Sequence, residues 1–167
     1  MSIREELPTD RGAVFRIHAA AFDTDAEARL VDALRDRARP LVSLVADVDG
    51  EVVGHILFSP VRVRERATRL LMGLAPMAVS PAFQRRGIGS QLVIAGIERC
   101  RALGAMGIVV LGHPEFYPRF GFTPAHQYGL RCTYEAPPEA FMVLESAPEA
   151  LLGISGTIEY HDAFELL

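Results

Sequence analysis

The chain has 167 residues, half of them hydrophobic and 23% charged, with a formal net charge of −4. This is the profile of one folded domain over residues 1–167, not of a disordered tail or a two-domain enzyme. All 17 basic residues are arginine, which excludes a lysine-dependent Walker phosphate loop and Schiff-base or pyridoxal chemistry. The acidic balance argues against nucleic acid as a partner, because counterion release needs clustered positive charge. Cys100 and Cys132 form no CxxC pair, and they read as packed thiols of a reducing compartment. The N-terminus is acidic and no apolar run approaches ~18 residues, so a cytoplasmic location without membrane insertion is expected.

Ile3 to Leu7 read as a first edge strand. Thr9 or Asp10 then caps a helix in RGAVFRIHAAAF, where Val14, Ile17 and Ala21 recur at helical spacing, and Asp25 caps a second, AEARLVDALRDRA. LVSLVADVDGEVVGHILFSPVRV reads as a hairpin turning at Asp49-Gly50, a dipeptide favoured where both turn residues need positive φ. Arg62 to Arg69 read as a charged connection. LLMGLAPMAV is a strand containing Pro76; a proline removes a ladder donor, so a bulge or a parting of strands is expected there.

SQLVIAGIERCRALG is a helix ended by Gly104, and GIVVLG a short strand buried on both faces. HPEFYPRFGF holds at most one helical turn, residues 124–140 are rich in turn formers, and FMVLE and GISGTIEY supply the last strands. The expected class is α/β with a mixed α+β sheet and a strand–loop–helix unit at its centre. His18 and His55 fall within regular elements and read as packed or surface residues, not ligands.

That central unit carries the most specific chemistry. In Gln84-Arg85-Arg86-Gly87-Ile88-Gly89-Ser90 the glycines permit positive φ and close backbone approach. The helix that follows starts with N–H groups lacking internal partners, which with the dipole's positive end make an anion site. Arg85 and Arg86 either add charge-assisted bonds to a phosphate or lie in solvent. A dinucleotide GxGxxG is excluded because Leu92 stands where its third glycine would be.

What remains is Q-x-x-G-x-G after the strand L-A-P-M-A-V-S-P, then Leu92, a buried strand and Tyr117-x-x-x-Gly121-Phe122. In this order the pieces resemble the GNAT superfamily of acyl-CoA-dependent N-acyltransferases over residues 3 to 123. The resemblance implies a GNAT fold: a central, mostly antiparallel sheet with a splayed strand pair and helices on both faces. It implies acetyl-CoA as cosubstrate and no metal. The pantetheine arm would lie along Met77, Ala78 and Val79, with Ala78 or Val79 N–H facing the oxyanion. The pyrophosphate would lie on the loop from Gln84 to Ser90.

The implied reaction is N-acetyl transfer to a primary amine of a small molecule or peptide by direct attack; the alternative is a non-catalytic acyl-CoA-binding sensor or scaffold. Tyr117 sits at the Y-x-x-x-G-F position, where a phenol protonates the departing thiolate, or else it is a core tyrosine. Glu27 is the leading base, or else a solvated helix-cap carboxylate. His113-Pro114 departs from the asparagine more usual in this region. His113-x-Glu115 lacks the P-C-x-x-C of a zinc deaminase. Pairing of GISGTIEY with another chain, giving a homodimer, is a further reading.

Overall fold

The computed structural model describes residues 1–167. In chain order it has β1 (Ser2–Glu5), α1 (Arg11–Ala21), α2 (Ala26–Arg37), β2 (Val42–Val48), β3 (Glu51–Val63), β4 (Arg66–Val79) and α3 (Ile88–Ala102). There follow β5 (Gly107–Leu111), β6 (Thr123–Pro124), β7 (Leu130–Cys132), β8 (Phe141–Glu145) and β9 (Gly156–Glu159). The strands form one sheet in the order β1-β2-β3-β4-β5-β8-β6, with β9 pairing β3 and β7. Only β4–β5 and β7–β9 are parallel. The fold class is therefore the α/β mixed sheet expected, with helices on both faces.

Side-chain alternation along β3 assigns the two faces. Ile56 and Phe58 join Leu92, Val93 and Ile97 of α3 on one side, and Leu57 joins Val14, Leu30 and Leu34 of α1 and α2 on the other. Phe58 packs so close to α3 that a Cβ at Gly96 would overlap its ring, which is why the helix tolerates a glycine there. The β2–β3 turn is the expected one: Asp49 and Gly50 have φ of 52° and 86°.

Three expectations need correction. Residues 62–69 are not a connection: Val63 pairs with Arg66, so β3 and β4 turn over Arg64 and Glu65 alone. Buried Val61 and Val63 alternate with outward arginines, and this exposed face is what made the segment look like a loop. Neither Asp10 nor Asp25 caps its helix through its side chain. Asp10 accepts from Leu7 N–H (2.7 Å) and Arg4 (2.7 and 3.1 Å), while Asp25 accepts from Arg29 Nε (3.1 Å); in each case an arginine competes successfully for the carboxylate. The strand in GISGTIEY pairs with β3 on one edge and β7 on the other, so it offers no free edge to another chain.

His18 and His55 are both fully buried on the α1–α2 face. Burial, aided by the charge of Arg35, pulls His18 down to about 4; burial, with His18 and Arg35, holds His55 well below its usual value. Unfolding returns each ring to an ordinary value of 6.5, so the unfolded chain binds more protons below that pH. The expected outcome is a conformational stability that is full above pH 6.5 and falls towards pH 4, by up to about 1.4 kcal/mol per pH unit per histidine. Urea unfolding across that window checks it, and a flat profile would contradict it.

Candidate active site

The site begins with a change of strand register. β4 pairs with β5 only from Leu71–Gly107 to Leu74–Val110. On its other edge, β4 slips against β3 between Ile56–Met77 and Phe58–Leu74, a bulge containing Ala75 and Pro76. Beyond it, Met77, Ala78 and Val79 stay paired with Ile56, His55 and Gly54 of β3. The edge facing β5 has no strand on it, because β5 ends at Leu111. Backbone groups along that edge are left without ladder partners, a slot for an extended ligand.

The slot leads to the N-terminus of α3. Ser80 N–H bonds Val53 O (2.8 Å), and Gln84 Nε2 bonds Val79 O (3.0 Å), tying the loop to the end of the strand. Arg85 and Gly87 take φ of 63° and 80°, so the chain turns with its amides inward. The first intrahelical bond runs from Gln91 N–H to Gly87 O (3.1 Å), leaving Ile88, Gly89 and Ser90 N–H without backbone acceptors. These residues line a cavity of about 370 Å³ with Val79, Arg85, Phe116 and Arg119. Its charged side chains are two arginines, and with the helix dipole they favour an anion. Gly89 opens onto space, a Cβ there meeting only Met77 Cε at 3.9 Å.

Tyr117 lies in a 3-10 turn after β5, its ring edge-on to Phe116, which lines the cavity, and to Phe122 of the core. It is 7% exposed, and burial pushes its phenol up to about 12, so it carries its proton at neutral pH. Glu27 is half-buried in the first turn of α2. His113 and Glu115 are exposed, and no group of three or more metal-ligating side chains exists in the molecule.

A model of the acetyltransferase (GNAT) family matches residues 9–122. The uncharacterized N-acetyltransferase YhbS of Escherichia coli K12 is 38% identical over 165 residues, 98% of each chain. The chain belongs to the GNAT acetyltransferase family. The crystal structure of YhbS from Escherichia coli in complex with CoA matches with a TM-score of 0.91 at 37% identity, covering 98% of this chain and 91% of that one. A GNAT family acetyltransferase from Brucella melitensis, solved with acetyl-CoA, matches with a TM-score of 0.79 at 36% identity, covering 98% and 97%.

For this GNAT chain, the cavity brings together Val79, Gln84, Arg85, Gly87, Ile88, Gly89 and Ser90, with Met77 beside Gly89, while Ala78 and Tyr117 do not line it. Two positions behave differently from the reading of the loop as a whole. Gln84 spends its side chain on the strand, and the Arg86 guanidinium lies 5.1 Å over the Phe83 ring instead of lining the cavity. Two residues were missed. Arg119 lines the cavity from the Y-P-R-F-G-F run while stacking on Phe116 at 4.8 Å; its place two residues after Tyr117 was the available signal. Tyr160 follows β9 and packs over Gly73, where a Cβ would come within 3.0 Å of the ring, and its hydroxyl is buried without a partner. Nothing local in the sequence points to it.

Proposed function

We propose that the protein transfers an acetyl group from acetyl-CoA to a primary amine of a small molecule or peptide, by direct attack in a ternary complex. The observation that carries this reading is an anion cavity at the N-terminus of α3 that reaches Val79 on the unpaired edge of β4 and is flanked by Phe116, against which the protonated Tyr117 packs. The CoA of the YhbS complex and the acetyl-CoA of the Brucella protein supply the ligand class. The amides of residues 85–90, with the Arg85 guanidinium, hold the pyrophosphate, and the open edge of β4 from Met77 to Val79 holds the pantetheine arm by backbone bonds.

The chemistry then needs positioning and two proton transfers. An alkylammonium gives up a proton before attack, and Glu27 is the carboxylate that receives it. The amine nitrogen forms a bond to the thioester carbon. A β4 backbone N–H, that of Val79, stabilises the oxyanion, the N–H of Ala78 being turned towards His55 of β3. As the C–S bond breaks, Tyr117 gives its phenolic proton to sulfur. An acidic chain in a cytoplasmic setting suits a cationic acceptor.

A thiol-release screen with acetyl-CoA against amino acids, polyamines, aminoglycosides and peptides tests donor and acceptor together; binding without release over the whole panel would make the protein a binding module. Gly89→Asp is expected to abolish acetyl-CoA binding by calorimetry while the protein stays folded, since the position is open; unchanged affinity would remove the loop as the phosphate site. Tyr117→Phe is expected to keep acetyl-CoA affinity and lose on the order of 10²-fold in kcat. An undiminished kcat would remove Tyr117 from the reaction.

A further inference from the structure

The cavity at the N-terminus of α3 is completed by a residue from outside its loop. Arg119 belongs to the 3-10 turn Tyr117–Phe120 that follows β5, yet it lines the same cavity as Arg85 and the start of α3. The amides of Ile88, Gly89 and Ser90 have no backbone acceptor there, because the first intrahelical bond is that of Gln91. No acidic side chain lines the cavity. Arg85 and Arg119 are exposed and make no ion pair, in a chain whose 21 acidic residues outnumber its 17 arginines. Two uncompensated cations and a row of unpaired donors thus converge on one volume of about 370 Å³.

Each arginine is held in its own way. Arg85 takes a φ of 63°, a left-handed conformation uncommon outside glycine and concentrated at ligand sites. The Arg119 guanidinium lies 4.8 Å over the ring of Phe116, which lines the cavity too and is braced edge-on by Tyr117 at 5.0 Å and Phe120 at 5.2 Å. Stacking occupies the face of a guanidinium and leaves the N–H groups in its plane free to donate. With its plane already set by the ring, Arg119 loses less freedom when it takes an anion. Stacking alone does not make a site: Arg86 lies over Phe83 in the same manner at 5.1 Å and does not line the cavity.

The α3 amides with Arg85 suffice for one phosphate, and an arginine from a separate segment suits an anion with a second charged centre. We propose that Arg119 is a specificity-determining residue for the acyl donor: its guanidinium, stacked on Phe116, holds the second phosphate of the donor's diphosphate by charge-assisted N–H bonds, while Arg85 and the α3 amides hold the first. This rests on the acyl-CoA reading of the cavity. The diphosphate then bridges the loop before α3 and the turn after β5, two segments that no strand pairing connects beyond Leu74 and Val110.

Calorimetric titration of acetyl-CoA and of 3′-dephospho-acetyl-CoA into the wild type and three variants tests this. Arg119→Gln should weaken both ligands by on the order of 10- to 100-fold, the effect of losing a charge-assisted contact. Arg119→Lys keeps the charge but not the stacked plane, and its affinity should fall between those of the wild type and Arg119→Gln. Arg86→Gln removes the same charge from outside the cavity and should cost no more than about fivefold. Unchanged affinity in Arg119→Gln, a lysine variant that binds no better than the glutamine one, or equal losses in Arg86→Gln and Arg119→Gln would overturn the proposal. A loss seen with acetyl-CoA and absent with the dephospho form would overturn it as well, by moving Arg119 to the 3′-phosphate. The substituted side chains are exposed, and an unchanged circular dichroism spectrum confirms that each variant is folded. Failure of the wild type to bind acetyl-CoA would sink the acyl-CoA reading and the role of Arg119 with it. A wild type that binds, beside an Arg119→Gln variant that binds equally well, would sink the role of Arg119 alone.

Discussion

The break between β4 and β5 after Leu74 is the constraint on which the rest of the site depends. Two parallel strands that pair at Leu71–Leu74 with Gly107–Val110 would ordinarily zip further. Pro76 has no amide hydrogen to contribute, and the bulge around it shifts β4 relative to β3, so the strand leaves β5 while staying in the sheet. The consequence is a run of backbone groups that are held rigidly on one edge and unsatisfied on the other. Such an edge is ordinarily a liability, and here its end at Val79 lies in a cavity flanked by Phe116 and Arg119.

The same strand also determines where charge is received. Its end feeds the loop of Gln84 to Gly87, and Gln84 binds the loop back to Val79. The amides of Ile88, Gly89 and Ser90 therefore stand in a fixed relation to the open edge. In a chain without lysine the charge-receptive groups at this cavity are backbone dipoles and arginine, whose weakly hydrated guanidinium tolerates burial better than an ammonium. On the opposite face, α1 and α2 cover His18 and His55.

Much of this was legible in the sequence wherever local chemistry is decisive. Asp49-Gly50 announced its turn, Pro76 its bulge, and Gly87 and Gly89 their loop, because each depends on a few adjacent residues. Arg62 to Arg69 misled, since a hairpin with arginines on its outer face and valines on its inner one has the composition of a loop. Asp10 and Asp25 misled because Arg4 and Arg29 claim carboxylates that a helix start would otherwise use. The pairing of His18 with His55 joins residues far apart in the chain, and Tyr160 reaches β4 only once β9 has docked on β3. Side chains brought together by tertiary packing leave no trace in spacing.

The central claim is that one continuous slot, from the amides of α3 to the edge of β4, holds an acyl-CoA in this chain. A crystal structure of the protein with acetyl-CoA tests it most directly. The account predicts pyrophosphate oxygens within hydrogen-bonding distance of the amides of Gly87 to Ser90, and the thioester arm along Met77 to Val79 between β4 and Tyr117. Nucleotide density elsewhere would contradict it, for example in the cavity of about 400 Å³ against Glu5, Ser43 and Arg99, with the β4–β5 gap empty.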